Sequence, residues 1–276
     1  MCGQVRSSDC SGTNPLSMRR AAYLAGFLLA MSGAAGLEAS AAPGKGENWR
    51  PGVRAAKAYA SRRAGMVSFA LRTGRRLYGY DARRTMSSAS VVKAMLMVAY
   101  LNRERVRGRE LNEKDHALLD PMIQRSSNAA ANQVYAIVGS AGLYRLARRV
   151  GMRSFTTMPV WGGSQITAAD QTKLLLDLER YVAPRHRDTA LDLLSSVVPR
   201  QRWGIARVIP RGWTLYFKGG WTSVVQNQVG LLRRDDRRVA IAVLTSHSPS
   251  PYYGRETERG VALRLLRGLD RSSVPR

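Results

Sequence analysis

Cysteine is nearly missing from this 276-residue chain, which has only Cys2 and Cys10. Both precede a candidate export segment, so the rest of the chain offers no disulfide, no thiolate metal site and no cysteine nucleophile. Histidine is scarce too, limited to His116, His186 and His247. None lies in an H-E-x-x-H or Cys/His cluster, so no metal and no cofactor are expected, and the three are read as surface residues. The G-x-S-x-G elbow is absent as well, which sets aside Ser-His-Asp hydrolases of the α/β type. Acidic residues number 19 against 44 basic ones, a net charge of +25. Six of those bases are lysine and the other 38 arginine, spread along the chain without the block that a nucleic-acid arm shows. Acidic cell-wall polymers are therefore candidate partners, and nucleic acid is not.

Long hydrophobic runs are also few. Arg19 and Arg20 precede an apolar stretch from Ala21 to Leu37 that is broken by Ser32, Gly33 and Gly36, and Ala39-Ser40-Ala41 follows as an A-x-A cleavage site. Residues 1–41 are read as a signal peptide, with Met18 as the candidate start. The mature protein, residues 42–276, is expected to be secreted or held in the cell envelope, as a monomer without a stable membrane span.

Apolar periodicity predicts a helix over 48–63, then strands over 66–72 and 76–81 joined by a turn at Thr73-Gly74. Residues 87–101 run apolar on nearly every face, as in a helix at the centre of a fold. Further helices are predicted over 112–123, 127–138, 143–150, 167–181 and 186–197. Three strands (214–217, 224–232 and 239–245) and an amphipathic helix over 256–269 close the chain. Strands at both ends with helices between them predict an α+β fold: an antiparallel sheet flanked by helices, with an inserted all-α subdomain. The α/β part is assigned to 48–86 and 205–276, and the helical part to 87–204.

Ser90-Val91-Val92-Lys93 puts a hydroxyl and an amine one helical turn apart, where Cβ atoms are about 5–6 Å from each other. A lysine held neutral near a helix N-terminus can act as base for the serine. Arginine outnumbers lysine about six to one here, yet position 93 is lysine, the one of the two that can lose its proton. Downstream, Ser126-Ser127-Asn128 offers a second hydroxyl and an amide, and Lys218-Gly219-Gly220 offers a fixed charge beside an unobstructed backbone. Taken alone, the serines also read as a helix cap, and Lys-Gly-Gly as a strand end and turn.

In this order, the three motifs resemble the S-x-x-K, S-D-N and K-T-G signature of class A β-lactamase-like and penicillin-binding serine hydrolases. The stretch from Met122 to Asn132 resembles that family's second-motif helix, and Val229 to Thr245 its C-terminal hairpin; the resemblance runs from about residue 48 to the end. It implies a β-lactamase/transpeptidase-like fold and an acyl-enzyme mechanism on an amide, β-lactam or ester, with a small-molecule or peptidoglycan-like substrate. By position it makes Ser90 the nucleophile, Lys93 its base and Ser126 the proton shuttle. Asn128 and Lys218 would bind substrate, Gly220 would give it room, and the backbone N–H groups of Ser90 and Trp221 would form the oxyanion hole.

Three departures stand out. Ser127 replaces the aspartate of the second motif, and Gly219 replaces the hydroxyl residue of the third, a loss for which Thr222 and Ser223 are the candidate replacements although no sequence argument selects either. Residues 151–166, where class A enzymes carry the deacylating glutamate, contain neither Asp nor Glu, so slow deacylation is expected. The helix after this loop starts with Thr167 and Asp170, read as a capping pair. The alternative is a non-catalytic protein of the same fold that binds peptidoglycan or acidic wall polymers.

Overall fold

The computed structural model describes residues 49–157 and 159–270; the predicted signal peptide lies outside them. Helix α1 (Val53–Ala60) is shorter than its periodicity suggested. Strands β1 (Met66–Thr73) and β2 (Arg76–Tyr80) form a hairpin that turns at Gly74, where φ is +49°. Next come β3 (Met86–Ser87), a 3-10 turn over Ala89–Val91 and α2 (Val92–Leu101). The helices α3 (Glu104–Arg107), α4 (Glu113–Gln124) and α5 (Asn128–Val150) follow. After a loop come β4 (Gln165–Ile166), α6 (Ala168–Leu176), α7 (Leu178–Tyr181) and α8 (Arg187–Ser195). The chain then forms β5 (Thr214–Trp221), β6 (Val225–Arg234), β7 (Arg237–Ser246) and α9 (Pro251–Leu265).

The main sheet has the order β2-β1-β7-β6-β5, and every neighbouring pair is antiparallel. Its first and last strands in sequence, β1 and β7, thus pair side by side inside the sheet, β2 and β5 form its edges, and the helical segment is inserted in the chain between β2 and β5. The period-2 alternation of side chains divides the core. Phe69, Leu71, Phe217, Val239, Ile241 and Val243 pack on one face with Ala56 of α1 and with Val261 and Leu265 of α9. Ala70, Val229, Leu231, Ala240, Ala242 and Leu244 face the other way, toward α2 and the helical segment. Helix α2 is buried at every position except Ala99, which is why its sequence shows no polar stripe. No helix among the described residues is long and apolar enough to cross a membrane.

Several elements differ from their sequence reading. Helices predicted over 127–138 and 143–150 are joined in α5, which breaks its helical backbone only at Gly139, with φ +66° and ψ 171°. Those angles suit glycine and mark a kink inside one element. The strand predicted to stop at Phe217 continues to Trp221, because Gly219 and Gly220 keep pairing with Gln228 and Asn227. His186 is not a surface residue: it is buried, and its ring Nε2 lies 3.0 Å from the carbonyl of Val106. Its flanking arginines and Pro184 hid that burial. His116 and His247 are exposed, as expected.

Candidate active site

The three motifs come from separate elements. Ser90 lies in the 3-10 turn that leads into α2, Ser126 to Asn128 at the start of α5, and Lys218 to Trp221 at the end of β5. Asn227 of β6 fixes the approach to the first motif, donating through Nδ2 to the Ser87 carbonyl at 2.8 Å and accepting from the Thr245 N–H at 3.1 Å. The alanine before Ser90, Ala89, has φ +44°, and Ser126 has φ +60°. Each costs about 1–3 kcal/mol, strain of a kind that clusters at functional sites. Ser127 provides the helix cap, its hydroxyl accepting from the Ala130 N–H at 3.2 Å. That division of labour leaves the Ser126 hydroxyl to other partners.

Lys93 is fully buried, and its Nζ donates to the Ser126 carbonyl (2.6 Å), to Ser126 Oγ (3.2 Å) and to Asn128 Oδ1 (2.8 Å). Among the described residues it forms no ion pair. Burial without a counter-charge brings its pKa down to about 7. Lys218 is fully buried as well and reaches the same hydroxyl, with Nζ 3.1 Å from Ser126 Oγ and 2.8 Å from the Gly219 carbonyl. Burial, and then the neighbouring Lys93, push its pKa well below the lysine range. Ser126 Oγ therefore stands between two amines.

Gly220 lies against the backbone of Ser90. A Cβ there would sit 2.6 Å from the Ser90 nitrogen and 2.7 Å from the Val91 nitrogen. Trp221 is 37% exposed at the end of β5, and its ring meets Trp203 edge-on with centroids 6.3 Å apart. Thr222, in the turn after β5, accepts through Oγ1 from the N–H groups of Val224 (3.2 Å) and Val225 (3.0 Å) and so caps that turn. Asp170 is engaged in structure: its N–H donates to Thr167 Oγ1, and its carboxylate accepts from the Arg153 N–H and pairs with Lys173. Among the described residues, no three His, Cys, Asp or Glu side chains converge as a metal site would need.

Sequence reasoning passed over Trp161. It lies in a 3-10 turn of the loop before β4, with its ring centroid 4.8 Å from Lys93 Nζ and its Nε1 donating to Asn132 Oδ1 at 2.8 Å. A tryptophan in a stretch otherwise rich in Gly, Pro and Thr was the available signal.

An all-antiparallel sheet backing a buried Ser-x-x-Lys helix, with a second serine and a second lysine brought to the same point, defines the class of β-lactamase-like serine hydrolases. A family model described as "Beta-lactamase enzyme family" matches residues 116–267, more than half of the chain, and the chain belongs to that family. Solved structures agree on the fold. A β-lactamase from Sphaerobacter thermophilus is 21% identical with a TM-score of 0.69, the match covering 79% of this chain and 96% of that one. PBP-A is 16% identical with a TM-score of 0.68 over 82% of this chain and 99% of its own. A β-lactamase from Xanthomonas campestris pv. campestris is 17% identical with a TM-score of 0.66, over 79% and 97%. A search of curated protein sequences gave no match.

Proposed function

We propose that this chain is an exported serine hydrolase that forms an acyl-enzyme on Ser90 with a β-lactam, a peptidoglycan-like amide or a related ester, and releases it slowly. The observation that carries this reading is the environment of Lys93: a buried amine with three acceptors, no carboxylate partner and a pKa brought down to about 7. An amine so placed is partly neutral at physiological pH and can take the proton of Ser90 as its Oγ attacks the carbonyl. Ser126, 3.2 Å from Lys93 Nζ, would pass a proton to the leaving nitrogen. The N–H groups of Ser90 and Trp221 would hold the oxyanion, an arrangement that requires Gly220 to lack a side chain. Asn128 would bind the substrate amide. Lys218 would meet a substrate carboxylate, whose arrival would restore the charge that burial disfavours.

Release of the acyl group requires a base for water. Residues 151–166 carry no acidic side chain, and Asp170 is committed to its capping contacts. Support for the acylation step also comes from a mutant of PBP-A solved as an acyl-enzyme complex with penicillin G, 17% identical to this chain with a TM-score of 0.68. Export rests on the leader-like residues 1–41. Residues 42–276 act in this reading as one hydrolase domain whose helical part, 87–204, forms one wall of the cleft. The net charge of +25 favours a second reading, a non-catalytic binder of acidic wall polymers. A chromogenic cephalosporin tests the choice. The enzyme reading expects a burst of one equivalent per protein followed by slow turnover, and no burst from Ser90→Ala. Identical flat traces from both proteins would favour the binder.

A further inference from the structure

The loop that carries Trp161 is stitched onto the segment that carries Ser90. The Ser88 N–H donates to the Ser164 carbonyl at 2.8 Å, and the hydroxyls of Ser87 and Ser88 reach the Gly162 carbonyl at 3.3 and 3.4 Å. Met86 and Ser87 pair with Ile166 and Gln165 as a short antiparallel ladder, and Gln165 bridges in turn to Thr156. Inside the loop, Ser164 Oγ donates to the Trp161 carbonyl at 2.7 Å. The loop is thus held by its own turn and by the residues before Ser90, and the indole itself by its N–H bond to Asn132 on α5. It is 9% exposed and covers a lysine that is fully buried.

We propose that Trp161 is a positioning residue that shuts bulk water out of the space beside Ser90 and Lys93, so that an ester formed on Ser90 is protected from hydrolysis. The inference rests on the reading of Ser90 as nucleophile and deepens it: the slow step comes from an occupied space as well as from a missing carboxylate. Hydrolysis would need a water oxygen to bond to the acyl carbon while the bond to Ser90 Oγ breaks, with the water's proton passing through a base to that departing oxygen. The face of the indole lies over Lys93 Nζ, 4.8 Å from it at the ring centroid, and so covers that side of the amine. The same cover deprives the Lys93 ammonium of hydration, in keeping with its lowered pKa. The other polar groups that face Lys93 are Ser126, just before α5, Asn128 at the start of α5 and Lys218 from β5, with no carboxylate among its bonded partners.

The test uses the mature chain, Trp161→Ala and Trp161→Phe, each shown to be folded by its melting transition. Lysine labelled with 13C at the ε-carbon is titrated by NMR, with the Lys93 signal assigned from Lys93→Arg. The lifetime of the penicillin G adduct is followed by intact mass, with Ser90→Ala as control. In Trp161→Ala, hydration of the amine is expected to raise the Lys93 midpoint by about one pH unit, and the adduct is expected to decay about tenfold faster. Trp161→Phe, which keeps a ring over the amine, is expected to restore most of both effects. An unchanged Lys93 midpoint in Trp161→Ala overturns the proposal, whatever the adduct does. An unchanged adduct lifetime overturns it as well. If the wild type forms no adduct, the nucleophile reading falls, and the NMR midpoint still decides whether Trp161 keeps water from Lys93.

Discussion

Asp115 and Lys93 are both buried ionisable side chains among the helices, and their surroundings are opposite in kind. Asp115 accepts from Tyr100 Oη at 2.6 Å, from Arg109 at 2.6 and 3.0 Å, and from the Asn112 N–H at 2.8 Å, closing a capping box at the start of α4. Burial alone would push its carboxyl up, but the bonds from Arg109, Tyr100 and Asn112 outweigh burial and hold it well below the usual carboxylate range. Lys93 has hydrogen-bond acceptors but no counter-charge, and a second amine reaches the same hydroxyl. One site is satisfied and stabilises the fold. The other is left short of compensation, and that shortage brings the pKa of the amine down to about 7.

The comparison can be broken at several points. Lys93→Arg should have the largest effect, since a guanidinium stays charged: the rate of penicillin acylation, read by stopped flow, is expected to fall by about 10³. For the wild type, the same rate should rise with pH around a midpoint near 7 as Lys93 loses its proton. Gly220→Ala should cost about 10²-fold in acylation, because its Cβ meets the Ser90 and Val91 nitrogens and displaces the N–H groups proposed to hold the oxyanion. Asp115→Ala tests the other side. It is expected to lower stability by about 2–3 kcal/mol in urea, by stranding the Tyr100 hydroxyl and removing the box, while the acylation midpoint stays in place.

The two groups also act in different pH windows. A carboxyl depressed by folding contributes stability that is present above about pH 4 and lost as pH falls toward its folded value. An amine depressed by folding works on the alkaline side: the unfolded chain binds more protons between about 7 and about 10, so stability rises with pH there. Lys93→Met should reduce that alkaline rise to the part that Lys218 contributes, and Asp115→Asn should flatten the acid one. The smallest effect is expected at the exposed Arg84–Asp81 pair, where Arg84→Gln should move the melting temperature by less than about 2 °C.

Much of this was legible in the sequence, for identifiable reasons. Ser90 and Lys93 were visible because one helical turn fixes their separation, and α2 because an all-apolar helix belongs at a centre. The sheet followed from period-2 runs at both ends of the chain. What stayed hidden depended on contacts distant in sequence. Nothing in Ser126-Ser127-Asn128 says that Ser127 takes the cap and frees Ser126, a choice set by the left-handed φ at Ser126. The convergence of Lys93 and Lys218 on one oxygen joins residues 125 positions apart in the chain. Trp161 had no motif around it, and its role follows only from the ladder that pins its loop to Ser87 and Ser88.

The central claim is that Ser90 is the nucleophile and holds its acyl group. Its most direct test is intact-protein mass spectrometry over time on residues 42–276 incubated with penicillin G, with Ser90→Ala in parallel. The account predicts a mass increase equal to one intact penicillin that persists for many minutes and maps to Ser90, with none in Ser90→Ala. A wild type that stays unmodified, or an adduct that forms equally on Ser90→Ala, would contradict it.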